Sequence, residues 1–115
     1  MKPLIFVADS LRVLKQFPRA VQQHMGFALY QAQMGGKHTD AKPLRNVGAG
    51  VLEVVSDHHG DTFRSIYTVK LEKAVYVLHA FQKKSKYGIT TPKSELELVK
   101  QRLARASEID QELEK

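Results

Sequence analysis

Arg64 stands inside the run Phe63-Arg64-Ser65-Ile66-Tyr67, among residue types that favour strands. Side chains alternate along a strand, so Arg64, Ile66 and Thr68 share one face, and Phe63, Ser65, Tyr67 and Val69 share the other. A mid-strand arginine is either a solvent-facing charge or a guanidinium held by a rigid sheet to grip a phosphate in bidentate fashion. A second source of charge lies downstream. The apolar run from Val75 to Phe81 leads directly to Lys83 and Lys84, followed by Lys86, Tyr87 and Lys93. Lysines set at a strand end are better fixed than lysines on a loose tail. Cations that meet phosphates, with one ring to stack on a base, suit single-stranded RNA, although a solvated lysine loop has the same composition.

Other chemistries find little support. His58 and His59 are adjacent in a turn-like stretch, His24 falls on a helix and His79 in an apolar strand, a place where a hydrogen-bonded core histidine is the ordinary outcome. No metal site and no cofactor are expected. The chain has no H-E-x-x-H, no glycine-rich phosphate loop and no nucleophile elbow. It also has no cysteine, which removes disulfides, thiolate zinc sites and a cysteine nucleophile, and which fits a cytoplasmic location.

Charge points to a polyanion. The net charge is +6, from 18 basic and 12 acidic side chains. The excess is concentrated: residues 1–94 carry +8 and residues 95–115 carry −2. Between Lys73 and Ser94 there are five lysines and no acid. A strongly basic chain attracts RNA, DNA or acidic proteins. The 115 residues suit one domain with a real core, and no apolar run approaches the ~20 residues of a membrane span. The short apolar run after Lys2 and Pro3 is not expected to act as a signal peptide.

The elements that must position these groups follow from periodicity. Leu4 to Val7 reads as a short buried strand, and Asp9-Ser10 can cap a helix running to Phe17. Val21, Met25, Ala28, Leu29 and Ala32 recur on one face of a second helix, entered at Pro18 and stopped at Gly35-Gly36. Residues 37–50, with Lys37, Lys42, Pro43 and Arg45, read as a loop. Three strands follow, Val51 to Val55, Phe63 to Val69 and Ala74 to Phe81, joined by short links that favour an antiparallel meander. Thr91 is a candidate N-cap with Pro92 at the first turn of a last helix, striped by Leu96, Val99, Leu103 and Ala106. The order is β-α-α-β-β-β-α, an α+β domain with its helices on one sheet face. Residues 1–107 form the domain, and 108–115 an acidic tail or an extension of the last helix.

Three ordered segments carry a family resemblance. Thr62-Phe63-Arg64-Ser65-Ile66-Tyr67 resembles an F/Y-R-x-x-Y strand. Val77-Leu78-His79-Ala80-Phe81-Gln82-Lys83-Lys84-Ser85 resembles an L-H-x-F-x-K-K-S/T strand end, and Thr90-Thr91-Pro92-Lys93-Ser94-Glu95-Leu96 resembles a T-P-x-x-E-I/L helix start. Together they resemble the phage-derived, HigB-like branch of the RelE/ParE toxin superfamily. The resemblance implies a RelE-like fold and the toxin of a toxin–antitoxin pair. It implies a metal-independent endoribonuclease that cuts mRNA on the ribosome and is neutralised by a helix-turn-helix DNA-binding antitoxin. It carries Arg64, Tyr67, Lys83 and Lys84 onto motif positions as catalytic residues, while Lys86, Tyr87 and Lys93 are RNA-binding candidates on chemical grounds alone. The strand ahead, Gly50-Val51-Leu52-Glu53-Val54-Val55, keeps the glutamate of the family pattern but has Val55 at its arginine position.

The implied reaction is attack of a 2′-hydroxyl on its own 3′ phosphate, with Arg64 facing the charge that gathers on the non-bridging oxygens. Lys83 or Lys84 would hold the phosphate or move a proton, and Tyr67 or Tyr87 would stack or relay. Two other readings stand beside it: a non-nucleolytic toxin of the ParE type acting on gyrase, and an RNA-binding module weakened in catalysis by Val55.

Overall fold

Val75 to Leu78 are all fully buried, a pattern that requires cover on both faces and therefore a central position in a sheet. The computed structural model, which describes residues 1–83 and 91–113, places this strand accordingly. The elements are β1 (Leu4–Phe6), α1 (Ser10–Leu14), α2 (Arg19–Gln33), β2 (Ala41–Pro43), β3 (Val51–His58), β4 (Asp61–Thr68), β5 (Val75–Lys83) and α3 (Lys93–Leu113). The sheet order is β1-β5-β4-β3-β2. The expected meander is present: β3 pairs antiparallel with β4, and β4 with β5. Its first turn is two residues long, with His59 at φ 50° and Gly60 at φ 84°, the doubly positive pattern of a tight hairpin turn.

Three details differ from the sequence expectation. β1 runs parallel to β5, from Leu4 opposite Val75 to Phe6 opposite Val77, so the sheet is mixed. The stretch read as loop contains β2, a three-residue edge strand paired with Leu52 to Val54. Ala41 alone is buried there and Pro43 ends it, too little periodicity for a signal. The element order is thus β-α-α-β-β-β-β-α. Finally, α1 stops at Leu14, and the chain reaches Phe17 through single turns, Gln16 N–H to the Val13 carbonyl and Phe17 N–H to that of Leu14.

The helices cover both faces rather than one. Leu14 of α1 and Val21, Met25, Ala28, Leu29 and Ala32 of α2 pack with Val54, Phe63, Tyr67, Val75 and Val77. Val99 and Ala106 of α3 pack with Val51, Ile66, Tyr76 and Leu78. Val75 and Tyr76 are neighbours in one strand, so the two clusters lie on opposite faces. Burying each large side chain contributes about 1.5–3 kcal/mol. α2 ends as its sequence dictates: Gly35 takes φ 86°, and the N–H groups of Gly35 and Gly36 reach the carbonyls of Ala32 and Gln31.

One irregularity shapes the α3 side. The register of β4 and β5 slips between Ile66, opposite His79, and Tyr67, opposite Val77. Leu78 is the extra residue of a bulge, so Leu78 and His79 both address the α3 face. Beyond it Phe81 lies on the same face, stacked on His79 at 5.2 Å.

α3 continues through the acidic segment, and Ile109 joins the core beneath it. Asp110 is 6 % exposed and accepts the Tyr76 hydroxyl at 2.8 Å and the Lys73 N–H at 2.9 Å. Burial alone would raise its pKa. The hydrogen bonds from the Lys73 and Glu72 backbone and from Tyr76, with the Lys73 charge, outweigh that effect and hold it below its ordinary 3.8. Burial, chiefly, and the Asp110 hydrogen bond and charge push the Tyr76 phenol up. A carboxyl depressed by folding contributes stability that is present above its unfolded pKa and is lost as pH falls through its folded pKa. Asp110→Asn should cost about 1–3 kcal/mol at neutral pH. It should also flatten the loss of stability below about pH 4, measured by urea unfolding across pH. An unchanged acid limb would refute this role.

Candidate functional site

Arg64 points from β4 to the α3 face and is 4 % exposed. Its register neighbours are Val55 on β3 and Phe81 on β5. An arginine so deep must have its charge matched. Its Nη1 donates to Glu53 Oε1 at 3.0 Å and to Thr91 Oγ1 at 3.2 Å. The Thr91 hydroxyl donates in turn to Glu53 Oε2 at 2.6 Å. One hydroxyl accepts from the cation and gives to the anion, so the polarity closes around three residues. Thr91 was expected as a helix cap. Its side chain instead ties the entrance of α3 to the sheet, while the Pro92 carbonyl accepts the N–H groups of Glu95 and Leu96.

Lys83 is the last residue of β5, opposite Thr62, and is 8 % exposed. Thr62 and Arg64 share a face of β4, so Lys83 lies diagonally across from Arg64 on the α3 side. Lys93 opens α3 and is exposed. Lys84, Lys86 and Tyr87 lie outside the described residues. Tyr67 does not join the group. It faces the opposite side of the sheet, is fully buried in the core under the helical hairpin, and its hydroxyl makes no hydrogen bond among the described residues. Burial pushes its phenol pKa up, away from proton relay near neutrality. Alternation along β4 already separates Tyr67 from Arg64, so packing is its role here.

A cleft of about 720 Å³ opens beside this network, lined by Lys42, Arg45, Asn46, Glu53, Thr91 and Leu96. Lys42 and Arg45 come from the stretch between α2 and β3. Nothing in the sequence pattern marked them, because their position depends on β2 pairing with β3.

A second polar chain runs alongside. His79, 6 % exposed, faces Glu95 through Nε2 and Arg102 through Nδ1, the latter at 2.8 Å. Arginine only donates, so Nδ1 must accept, and the ring proton sits on Nε2 facing the carboxylate. Arg102 also donates to the Leu78 carbonyl at 3.2 Å and lies 2.9 Å from Asp9. Both ring nitrogens are occupied, so His79 fastens α3 to β5.

Residues 12–104 match the family model described as Phage derived protein Gp49-like (DUF891), and the chain belongs to this family. The family is phage-derived and toxin-like, related to RelE-type toxins, and membership implies an antitoxin partner. No curated protein and no solved structure gives a significant match. Among the described residues, no helix is long and apolar enough to cross a membrane.

The three-residue network should behave as a unit. Glu53→Ala is expected to cost about 3 kcal/mol, because it strips the carboxylate from a buried guanidinium. Thr91→Ala should cost about 1 kcal/mol. The double variant should fall short of the sum by at least about 0.5 kcal/mol in urea unfolding. Strict additivity would show that the two groups act on Arg64 independently.

Proposed function

We propose that this protein is the toxin of a toxin–antitoxin pair and cleaves mRNA as a metal-independent endoribonuclease, with the message presented by the ribosome. The observation that supports this reading best is the placing of Arg64 and Lys83 on one sheet face, next to a cleft rimmed by Lys42 and Arg45. Family membership and the charge of +6 agree with it.

In this reading the 2′-hydroxyl of the nucleotide attacks the adjacent phosphorus and the 5′ oxygen leaves. The products are a 2′,3′-cyclic phosphate and a 5′-hydroxyl end. Arg64 faces the non-bridging oxygens, a contribution of about 3–4 kcal/mol for a well-aimed donor. Glu53 and Thr91 fix the guanidinium in place, so that little reorganisation remains when the phosphate arrives. The phosphate competes with Glu53 for the cation. Lys83 and Lys84 hold the phosphate or move a proton, Lys86 and Lys93 follow the backbone, and Tyr87 stacks on a base. The partner is a helix-turn-helix antitoxin encoded nearby.

Expression without the antitoxin should arrest growth and create new 5′ ends inside translated messages. Arg64→Gln should lower cleavage by about 10²–10³-fold, in a protein whose thermal unfolding confirms that it is folded. Lys83→Gln and Lys84→Gln should each weaken RNA binding and its salt dependence. Growth arrest with intact messages and altered plasmid supercoiling would replace this reading with action on gyrase. RNA binding without cleavage would replace it with a binding module.

A further inference from the structure

On the hairpin side, three residues that the proposed reaction leaves unused meet beside β3, just past its pairing with β2. His24 projects from α2. Its Nδ1 lies 2.8 Å from Ser56 Oγ on β3, and its Nε2 lies 2.8 Å from Asp40 Oδ2. His38 stands two residues before Asp40, in the segment leading to β2. Its Nδ1 accepts the Asp40 N–H at 2.9 Å and lies 3.9 Å from the Asp40 carboxylate. The two imidazoles are 5.4 Å apart, and Phe27 packs edge-on against His38 at 5.5 Å. One ligand atom from each of His24, His38 and Asp40 lies within 4.8 Å of the others.

We propose that His24, His38 and Asp40 form a binding site for one divalent transition-metal ion of the zinc class, which fastens the segment before β2 to α2. The donor set is two imidazoles and one carboxylate, a combination that selects zinc-like ions over calcium or magnesium. Ligands of a four-coordinate zinc stand about 3.3 Å apart. Asp40, with a side chain 54 % exposed, adjusts by rotation, and a turn of the His38 ring brings the two imidazoles to ligand spacing. Ser56 is a positioning residue. It is 5 % exposed and lies 2.8 Å from His24 Nδ1; when the ion sits on Nε2 the ring proton stands on Nδ1, where Ser56 Oγ accepts it and holds the ring's aim. In the metal-free protein a proton on Nε2 bridges His24 and Asp40, and the ion takes that place. Water can complete the coordination from a cleft of about 390 Å³ that His24 and Asp40 line with Lys42, Glu53, Val55 and Asp57.

The adjacent histidines gave no metal signal in sequence, and the stacked His58 and His59, 4.0 Å apart at the β3–β4 turn, are the internal control. Full-length protein free of any histidine tag should be titrated with zinc chloride by calorimetry and with cobalt chloride by visible absorption. The expected result is saturation at one ion per chain, a cobalt ligand-field band, and a zinc-dependent rise in unfolding temperature. His24→Gln, His38→Gln and Asp40→Asn should each weaken zinc binding more than tenfold, and Ser56→Ala by about tenfold. A variant with His58→Gln and His59→Gln should bind as the parent does. Unfolding of each variant without metal separates lost ligation from lost fold. No saturable binding, or binding that survives the three ligand variants, or binding that disappears with His58 and His59, would overturn the site. RNA cleavage plays no part in these readouts, so the site stands or falls separately from the nuclease reading.

Discussion

A guanidinium in the middle of a sheet, 4 % exposed, is the constraint around which the α3 side is organised. Leaving it unmatched would cost several kcal/mol, more than most small domains can tolerate. Glu53 is its carboxylate partner from the neighbouring strand, and Thr91 closes the triangle from the chain entering α3. The pairing therefore does more than neutralise a charge. It specifies where α3 begins relative to β3 and β4, and it fixes the cleft lined by Glu53 and Thr91.

Two further polar links act along the same helix. The Glu95–His79–Arg102 chain holds its first half to β5, and Asp110 holds its last turns to Tyr76 and the Lys73 backbone. The bulge at Leu78 is what turns His79 toward α3, so a local irregularity of β5 is used to dock a helix. An acidic segment that looks like a tail in composition is helical up to Leu113 because one of its acids is buried. The result is a rigid frame on the face that carries Arg64 and Lys83.

Periodicity made α2, the three-strand meander and the stripe of α3 legible, since each buries a regular face long enough to show. Features that depend on pairing were not legible. β1 showed as a short apolar run, but its parallel alignment is decided only when β5 is in place, and β2, three residues with one buried, is too short for a pattern. The same holds for the site. Arg64 could be singled out as a residue type in an odd place, but its partners Glu53 and Thr91 are 11 and 27 residues away. The motif that groups Tyr67 with Arg64 counts positions along a strand, and the strand puts odd and even positions on opposite faces. The spacing His38-x-Asp40 was in plain sight, yet it gains meaning only when α2 brings His24 beside it.

Val55 ties the frame to the chemistry. It lies directly across from Arg64, at the position where the resembling pattern has an arginine. Two arginines opposite one another would repel, and a single Glu53 carboxylate could not balance both. With valine there, Arg64 and Glu53 match one to one, and the charges of this buried pair balance. The frame gains stability from that balance, but its potential toward a phosphate falls, because the Glu53 charge offsets that of Arg64. In the proposed reading, attraction for a polyanion then comes from cations outside the pair: Lys83 on the same face, Lys42 and Arg45 on the cleft rim, and Lys93 at the start of α3. On that reading Arg64 is a fixed donor and its neighbours supply the binding energy, which separates the residue that sets geometry from the residues that set affinity.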